Sequence, residues 1–214
     1  SPHSPFPIPH SVVDPTFPGT IGGLTLASGY SGTVSLARNL TVSGDVTLAG
    51  GTLAGGSSTL SVGGNWTLQG GTFNAGTSTV ALIDPSKPST IRGNNAFYHF
   101  TSAAPDKQLS FEAGATQTVL GNFTIQGEAG HLIWLRSTDP GNLQWQLDIT
   151  GGASVQMVHV GDLHSLGATP LKTAPSNSFG NNTNIDTDPV WDNSSGDGLW
   201  STATNWDTNV VPGS

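Results

Sequence analysis

Apolar residues recur at every second position through much of the first half of this chain. Leu24/Leu26, Val34/Leu36, Leu40/Val42, Val46/Leu48, Leu60/Val62, Trp66/Leu68 and Val80/Leu82 are all i, i+2 pairs. Polar Thr41, Thr47, Ser61 and Thr67 lie between the members of four of them. A period of two predicts strands with one face buried. Gly-Gly and Ser-Gly pairs interrupt the pattern at short intervals, as corners do where the chain bends sharply and needs positive φ. No continuous apolar stripe of helical period occurs.

The alternation is organised into a repeat. Residues 40–59, LTVSGDVTLAGGTLAGGSST, are followed without a gap by residues 60–79, LSVGGNWTLQGGTFNAGTST, and 11 of the 20 positions are identical. A unit this short cannot bury its own apolar face, so it must stack on its neighbours. The fold expected is all-β, a parallel β-helix with coils of about 20 residues, each made of three short strands and three bends. Stacking then places Leu40 on Leu60, Val42 on Val62, Val46 on Trp66, Leu48 on Leu68 and Leu53 on Phe73, and these ten residues are the expected core columns. Trp66 and Phe73, standing where the preceding coil has Val46 and Leu53, are expected to fill a wider core. The alternative is a β-sandwich of hairpins. It would not require a 20-residue translation, and Asp197-Gly198 is the only Asn-Gly or Asp-Gly hairpin signal in the chain.

Four segments follow. Residues 1–18 hold six of the 14 prolines and form an extended N-terminal segment. Residues 19–84 are the regular coils. Residues 85–170 continue the solenoid irregularly: the string 121–127 (GNFTIQG) echoes 64–70 (GNWTLQG) after a break at 84–95. Residues 171–214 are loop-rich and end in a Trp-rich tail suited to pairing with a neighbouring unit.

Composition narrows the function. Only 9% of residues are charged, against about 25% in an average soluble domain, and Gly, Ser, Thr and Asn supply the polarity instead. The net charge of −8 and the scattered Lys and Arg exclude a phosphate-binding surface. No apolar run reaches the length of a membrane-spanning helix. The absence of cysteine excludes disulfides and thiolate chemistry. The chain starts at Ser1 with no basic and apolar leader, so it reads as an extracellular or cell-surface segment whose export signal has been removed.

Candidate chemistry is sparse. Polysaccharide lyases on β-helices need clustered carboxylates with a neighbouring cation, and no such cluster is visible in the repeat. The only two glutamates, Glu112 and Glu128, sit in Gly-Ala and Gly-Glu-Ala-Gly turns and read as solvated. His159, Asp162 and His164 form the one metal-like constellation, although 159 and 164 differ in parity along a regular strand. Asp186, Asp188, Asp192 and Asp197 offer oxygens for calcium, with a spacing that fits no EF-hand, so a solvated loop is the default. Neither a cofactor nor a catalytic residue is expected. Trp191, Trp200 and Trp206, with Val210 and Val211, are the expected assembly or glycan contacts. Asn-x-Ser/Thr sequons occur at Asn39, Asn65, Asn122, Asn181 and Asn193, a weak signal in so Ser/Thr-rich a chain.

The ordered strings GGNWTLQGGTFNAGTSTVAL, IRGNNAFYHFTSA, LSFEAGATQTVLGNFTIQG, HLIWLRSTDPGNLQWQLDITG and VHVGDLHSLGATP, closed by NSFGNNTNID, carry a family likeness. Over roughly residues 20–188 the chain resembles a repetitive module of bacterial secreted autotransporter- or adhesin-like surface proteins. The tail DGLWSTATNWDTNVVPGS is similar to the opening of such modules. The resemblance implies a β-solenoid outside the cell in an adhesive, matrix or filament role. Its partners would be copies of itself joined head to tail, or tandem neighbours. A glycan-binding adhesive module is the alternative function, and a polysaccharide lyase-like enzyme the second.

Overall fold

A computed structural model of the chain describes residues 10–173, 176–187, 191 and 193–206. It is nearly all β: parallel sheets stack into a solenoid of about eight turns with about 22 residues per coil. Each coil passes along three sides. The first side, face A, stacks His10–Val13, Thr33–Leu36, Thr52–Ala54 and Thr72–Asn74. Face B stacks Thr20–Ile21, Leu40–Val42, Thr59–Val62, Thr79–Leu82, His99–Ser102, Asn122–Gln126 and Gly152–Gln156. Face C is the longest, from Leu24–Leu26 through Val46–Leu48, Trp66–Leu68, Ser89–Arg92, Gln108–Phe111, Ile133–Ser137 and Val158–Val160 to Asn177–Ser178. A separate pair, Leu171–Lys172 with Ile185–Asp186, follows face B.

The repeat sets the register. Leu40 lies beside Leu60 and Val42 beside Val62 on face B. On face C, Val46 pairs with Trp66 and Leu48 with Leu68, and on face A Leu53 pairs with Phe73. Every one of these expected rungs is present. Nine of the ten side chains are buried, and Leu68 packs against the core only in part. Between the apolar columns, Thr41 and Ser61 or Thr47 and Thr67 point outward, so alternation becomes inside and outside.

Past residue 84 the coils stay in register but lose their constant length. Phe100 pairs with Phe123, and Phe123 with Ala153. Loops have been inserted at corners, where extra residues leave the rungs undisturbed. The first side is also handed over. Face A stops at Thr72–Asn74, and face D begins in the next coil with Asn95–Phe97, followed by Thr116–Val119, Trp145–Ile149 and Leu163–Ser165.

The interior changes character at this handover. Early coils are filled by Leu and Val. From Trp66 onward the core is aromatic: Trp66 packs edge-on against Phe73 at 4.9 Å and against Phe97 at 5.4 Å. Phe97 meets Phe100 at 4.9 Å, and Phe111 stacks on Trp145 at 3.9 Å. The larger rings fill the wider bore where the side is rebuilt. They bring two indole N–H groups inside, and both find acceptors: that of Trp145 donates to the Gly161 carbonyl at 3.4 Å. The Trp66 indole N–H donates to Asn95 Oδ1 at 2.7 Å, and Asn95 Nδ2 donates to Gln117 Oε1 at 2.8 Å and to the Gly93 carbonyl at 2.9 Å. Gln117 Nε2 returns to the Gly93 carbonyl at 3.0 Å.

Corners are tied from coil to coil by side chains. The Asp45 carboxylate accepts from Asn65 N at 2.7 Å, and Asn65 Oδ1 from Thr90 N at 2.8 Å. The buried Lys107 ammonium donates to the carbonyls of Asp84 and Lys87 and to Ser89 Oγ, holding the 84–89 loop. Arg38 donates to the carbonyls of Pro15, Phe17 and Asn39 and fixes the first corner. Close stacking also demands glycine: a Cβ at Gly151 would lie 2.0 Å from the Gly121 carbonyl oxygen one coil below.

Candidate functional site

Three of the residues expected to make assembly or glycan contacts meet in one cluster. Trp191 and Trp206 form an antiparallel bridge, Trp200 stacks near Trp191 at 6.0 Å, and Trp200 meets Trp206 edge-on at 5.2 Å. They do not form a row of exposed rings. Trp206 is buried and its indole N–H donates to the Trp200 carbonyl, whereas Trp200 itself is 66% exposed. Val210 and Val211 lie outside the described residues, as do Asp188 and Asp192.

The loop carrying Trp200 is organised by Asn205 and Asp197. Asn205 is fully buried; its Oδ1 accepts from Ser195 N and Oγ, and its Nδ2 donates to Asp197 Oδ1 and to the Leu199 carbonyl. Asp197 also accepts from Thr202 Oγ1 at 2.6 Å and Leu199 N at 2.8 Å. These donors, the Thr202 hydroxyl first, stabilise the carboxylate and pull its pKa down to about 2. Both oxygens of Asp197 are thus engaged in closing the turn.

His159, Asp162 and His164 are spread around a corner. His159 faces outward from face C, and His164 outward from face D. Asp162 sits between them with φ 57° and is 2% exposed. Its Oδ1 accepts from Gly141 N at 2.8 Å and Asn181 Nδ2 at 2.9 Å, clamping loops of neighbouring coils. Among the described residues no group of three or more His, Asp or Glu side chains gathers in a way suited to an ion.

The outer surface of face C holds a cluster that parity along the strands foreshadows. In Ile133–Ser137, Ile133, Leu135 and Ser137 point in, which turns Trp134 and Arg136 out. In Val158–Val160 only His159 points out, directly beside Trp134. The two rings lie 4.3 Å apart, and Arg136 sits over the Trp134 ring at 4.8 Å, within cation–π range. Phe179, 43% exposed, completes the group at 5.8 Å from Trp134. It leans across Gly161, where any Cβ would strike its ring at 2.1 Å. Burial, reinforced by the charge of Arg136, lowers the pKa of His159, so its imidazole is neutral at pH 7.

Farther along the same face, Arg92 and Glu112 stand next to one another on successive rungs, following the Ile91–Phe111 pair. Glu112 Oε2 accepts from Gly93 N at 2.6 Å. With Thr47, Thr67, Leu68 and Gln69 they line a shallow groove of about 510 Å³. Neither Trp134, which lies inside a strand-like string, nor Arg136, one of the scattered basic residues, stands out in the sequence. The usable signal was an aromatic and a cation at outward parity on one short strand. Compared with known protein families, with curated proteins and with solved structures, the chain matches none of them.

Proposed function

We propose that this chain is a structural, non-catalytic module of an extracellular surface, assembled into a fibre, sheath or adhesin by end-to-end pairing of solenoids. The observation that supports this reading is the state of the first coil. Among the described residues, His10–Val13, Thr20–Ile21 and Leu24–Leu26 are each hydrogen-bonded on one side only, to the coil that follows. Three adjacent strand edges without a partner among the described residues, at one end of a parallel stack, offer a template for another strand-bearing segment. Val12 on the first of these strands is 47% exposed. The likeness to secreted autotransporter- or adhesin-like modules points the same way, toward a place outside the cell.

The test is self-association. Sedimentation of the full chain over a range of concentrations is expected to show oligomers. A chain lacking residues 190–214 should remain folded by circular dichroism and sediment as a monomer. A full-length protein that stays monomeric at every concentration, and shows no fibres by electron microscopy, would refute the proposal. A second reading is adhesion through the C-terminal tryptophans, favoured by the exposed ring of Trp200. It expects Trp200→Ala to lose glycan retention while self-association is unchanged.

A further inference from the structure

The six basic side chains of this acidic protein are unevenly used. Arg38 and Lys107 are spent on backbone carbonyls, and Lys107 also on a hydroxyl. Lys87 pairs with Asp84 at 3.1 Å. Lys172 lies opposite Asp186 in register. Arg92 and Arg136 remain, and neither side chain has a hydrogen bond or ion pair to any described residue. Both project from the outer surface of face C. In a chain with 14 acidic and 6 basic residues, two guanidinium groups without an ion pair among the described residues stand on one face, where the neighbouring carboxylate, Glu112 beside Arg92, accepts from Gly93 N.

They flank an aromatic platform. Trp134 packs against His159 one rung further on and lies near Phe179 on the rung beyond, and Gly161 provides the space that Phe179 needs. The Trp134 indole N–H has no acceptor among the described residues. Arg136 is one rung above Ser110 and two above Thr90, and Arg92 is two residues along the strand from Thr90. At about 4.8 Å per rung and about 3.3 Å per residue, the two arginine Cα atoms are roughly 12 Å apart. Outward hydroxyls of Thr90 and Ser110 occupy the ground between them, together with Glu112, whose Oε2 is held by Gly93 N.

We infer that the outer surface of face C binds a carboxylate-bearing polysaccharide, with the half-buried Trp134 and the exposed Phe179 packing against sugar rings and Arg136 and Arg92 pairing with acidic groups along the chain. The chemistry favours this ligand class. A pyranose ring presents a face of C–H groups to the negative π face of an indole. A planar guanidinium forms bidentate hydrogen bonds with a carboxylate. The strand face is long, shallow and lined by hydroxyls, which suits an extended polymer rather than a compact ligand. His159 is neutral at pH 7 and contributes ring surface, not charge.

The experiment is affinity electrophoresis of the full chain through gels containing polygalacturonate, dextran or poly-glutamate. Retardation by polygalacturonate is expected, with dextran and poly-glutamate each at least about tenfold weaker. Arg92→Gln together with Arg136→Gln should weaken polygalacturonate binding by about tenfold or more, as should Trp134→Leu. Leu120→Ser, at an exposed position on the corner between faces D and B, should leave it unchanged. The arginine pair is exposed or half-exposed, so that variant tests the idea even where Trp134→Leu perturbs the fold. No retardation by polygalacturonate would overturn the inference. So would equal retardation by poly-glutamate, or arginine variants that bind within about twofold of the original chain.

Discussion

Replacing Asn95 by Leu keeps the side-chain volume nearly constant and removes only polarity, so it isolates the buried amide ladder. Asn95 is 2% exposed, and both of its side-chain partners are also buried: Trp66 at 0% and Gln117 at 1%. In Asn95→Leu the Trp66 indole N–H and Gln117 Oε1 each lose their partner. The Gly93 carbonyl keeps its bond from Gln117 Nε2. Two buried side-chain groups are therefore orphaned, at about 1–3 kcal/mol each, and the part-buried Arg92 carbonyl loses its 3.2 Å bond from Asn95 Nδ2. Burying Leu in place of an amide returns about 1–2 kcal/mol. The net loss expected is about 2–4 kcal/mol, or a fall in melting temperature of roughly 5–15 °C for a chain of this size. Denaturation followed by circular dichroism measures the single loss. A double-mutant cycle with Trp66→Phe measures the coupling, because phenylalanine has no N–H to strand. The double variant should be more stable than the sum of the singles by about 1–2 kcal/mol. Additivity within about 0.5 kcal/mol, or an Asn95→Leu chain as stable as the original, would show that the ladder does not contribute as argued.

Three further outcomes follow from the packing. Leu48→Asp should cost more than about 4 kcal/mol, because Leu48 is fully buried, while Leu68→Asp on the next rung should cost clearly less, since Leu68 is only partly covered; urea midpoints compare them. Gly151→Ala should cost about 2 kcal/mol or more, because its Cβ would strike a backbone oxygen, whereas Gly22→Ala, with open space around it, should stay within about 0.5 kcal/mol by the same measure. Burial draws the pKa of Lys107 down to about 8 from 10.5. The folded chain then binds fewer protons than the unfolded one across that interval, so stability should rise with pH there, relative to Lys107→Met. A difference that falls or stays flat between pH 8 and 10.5 would mean that its three acceptors outweigh its loss of hydration.

The rungs joining Leu40 to Leu60 and Leu53 to Phe73 were legible because two coils of equal length follow one another. Beyond residue 84 the spacing ceases to inform. Leu109 pairs with Leu135 and Leu135 with Val160, across corner loops whose lengths no columnar constraint fixes. Parity within a strand survives these insertions, which is why the outward positions of Trp134 and His159 can be read locally. Their adjacency cannot, because it depends on the number of residues in the intervening loops. The same holds for His159 and His164: parity along one continuous strand assigns them to opposite sides, whereas the corner at Gly161–Asp162 turns both to the exterior of different faces. The C-terminal tryptophans were visible as residues, but their unequal burial is decided by the Asn205-centred turn.

Because most contacts of a coil are with the coil above and the coil below, the aromatic interior from Trp66 to Trp145 would give the molecule a graded resistance to pulling. Tension applied along the axis would peel the aliphatic coils of the N-terminal end first and halt at the indole and phenyl rings. A load-bearing filament made of such units would then stretch in steps rather than break at once, each unit keeping a folded midsection from which the lost coils can rewind.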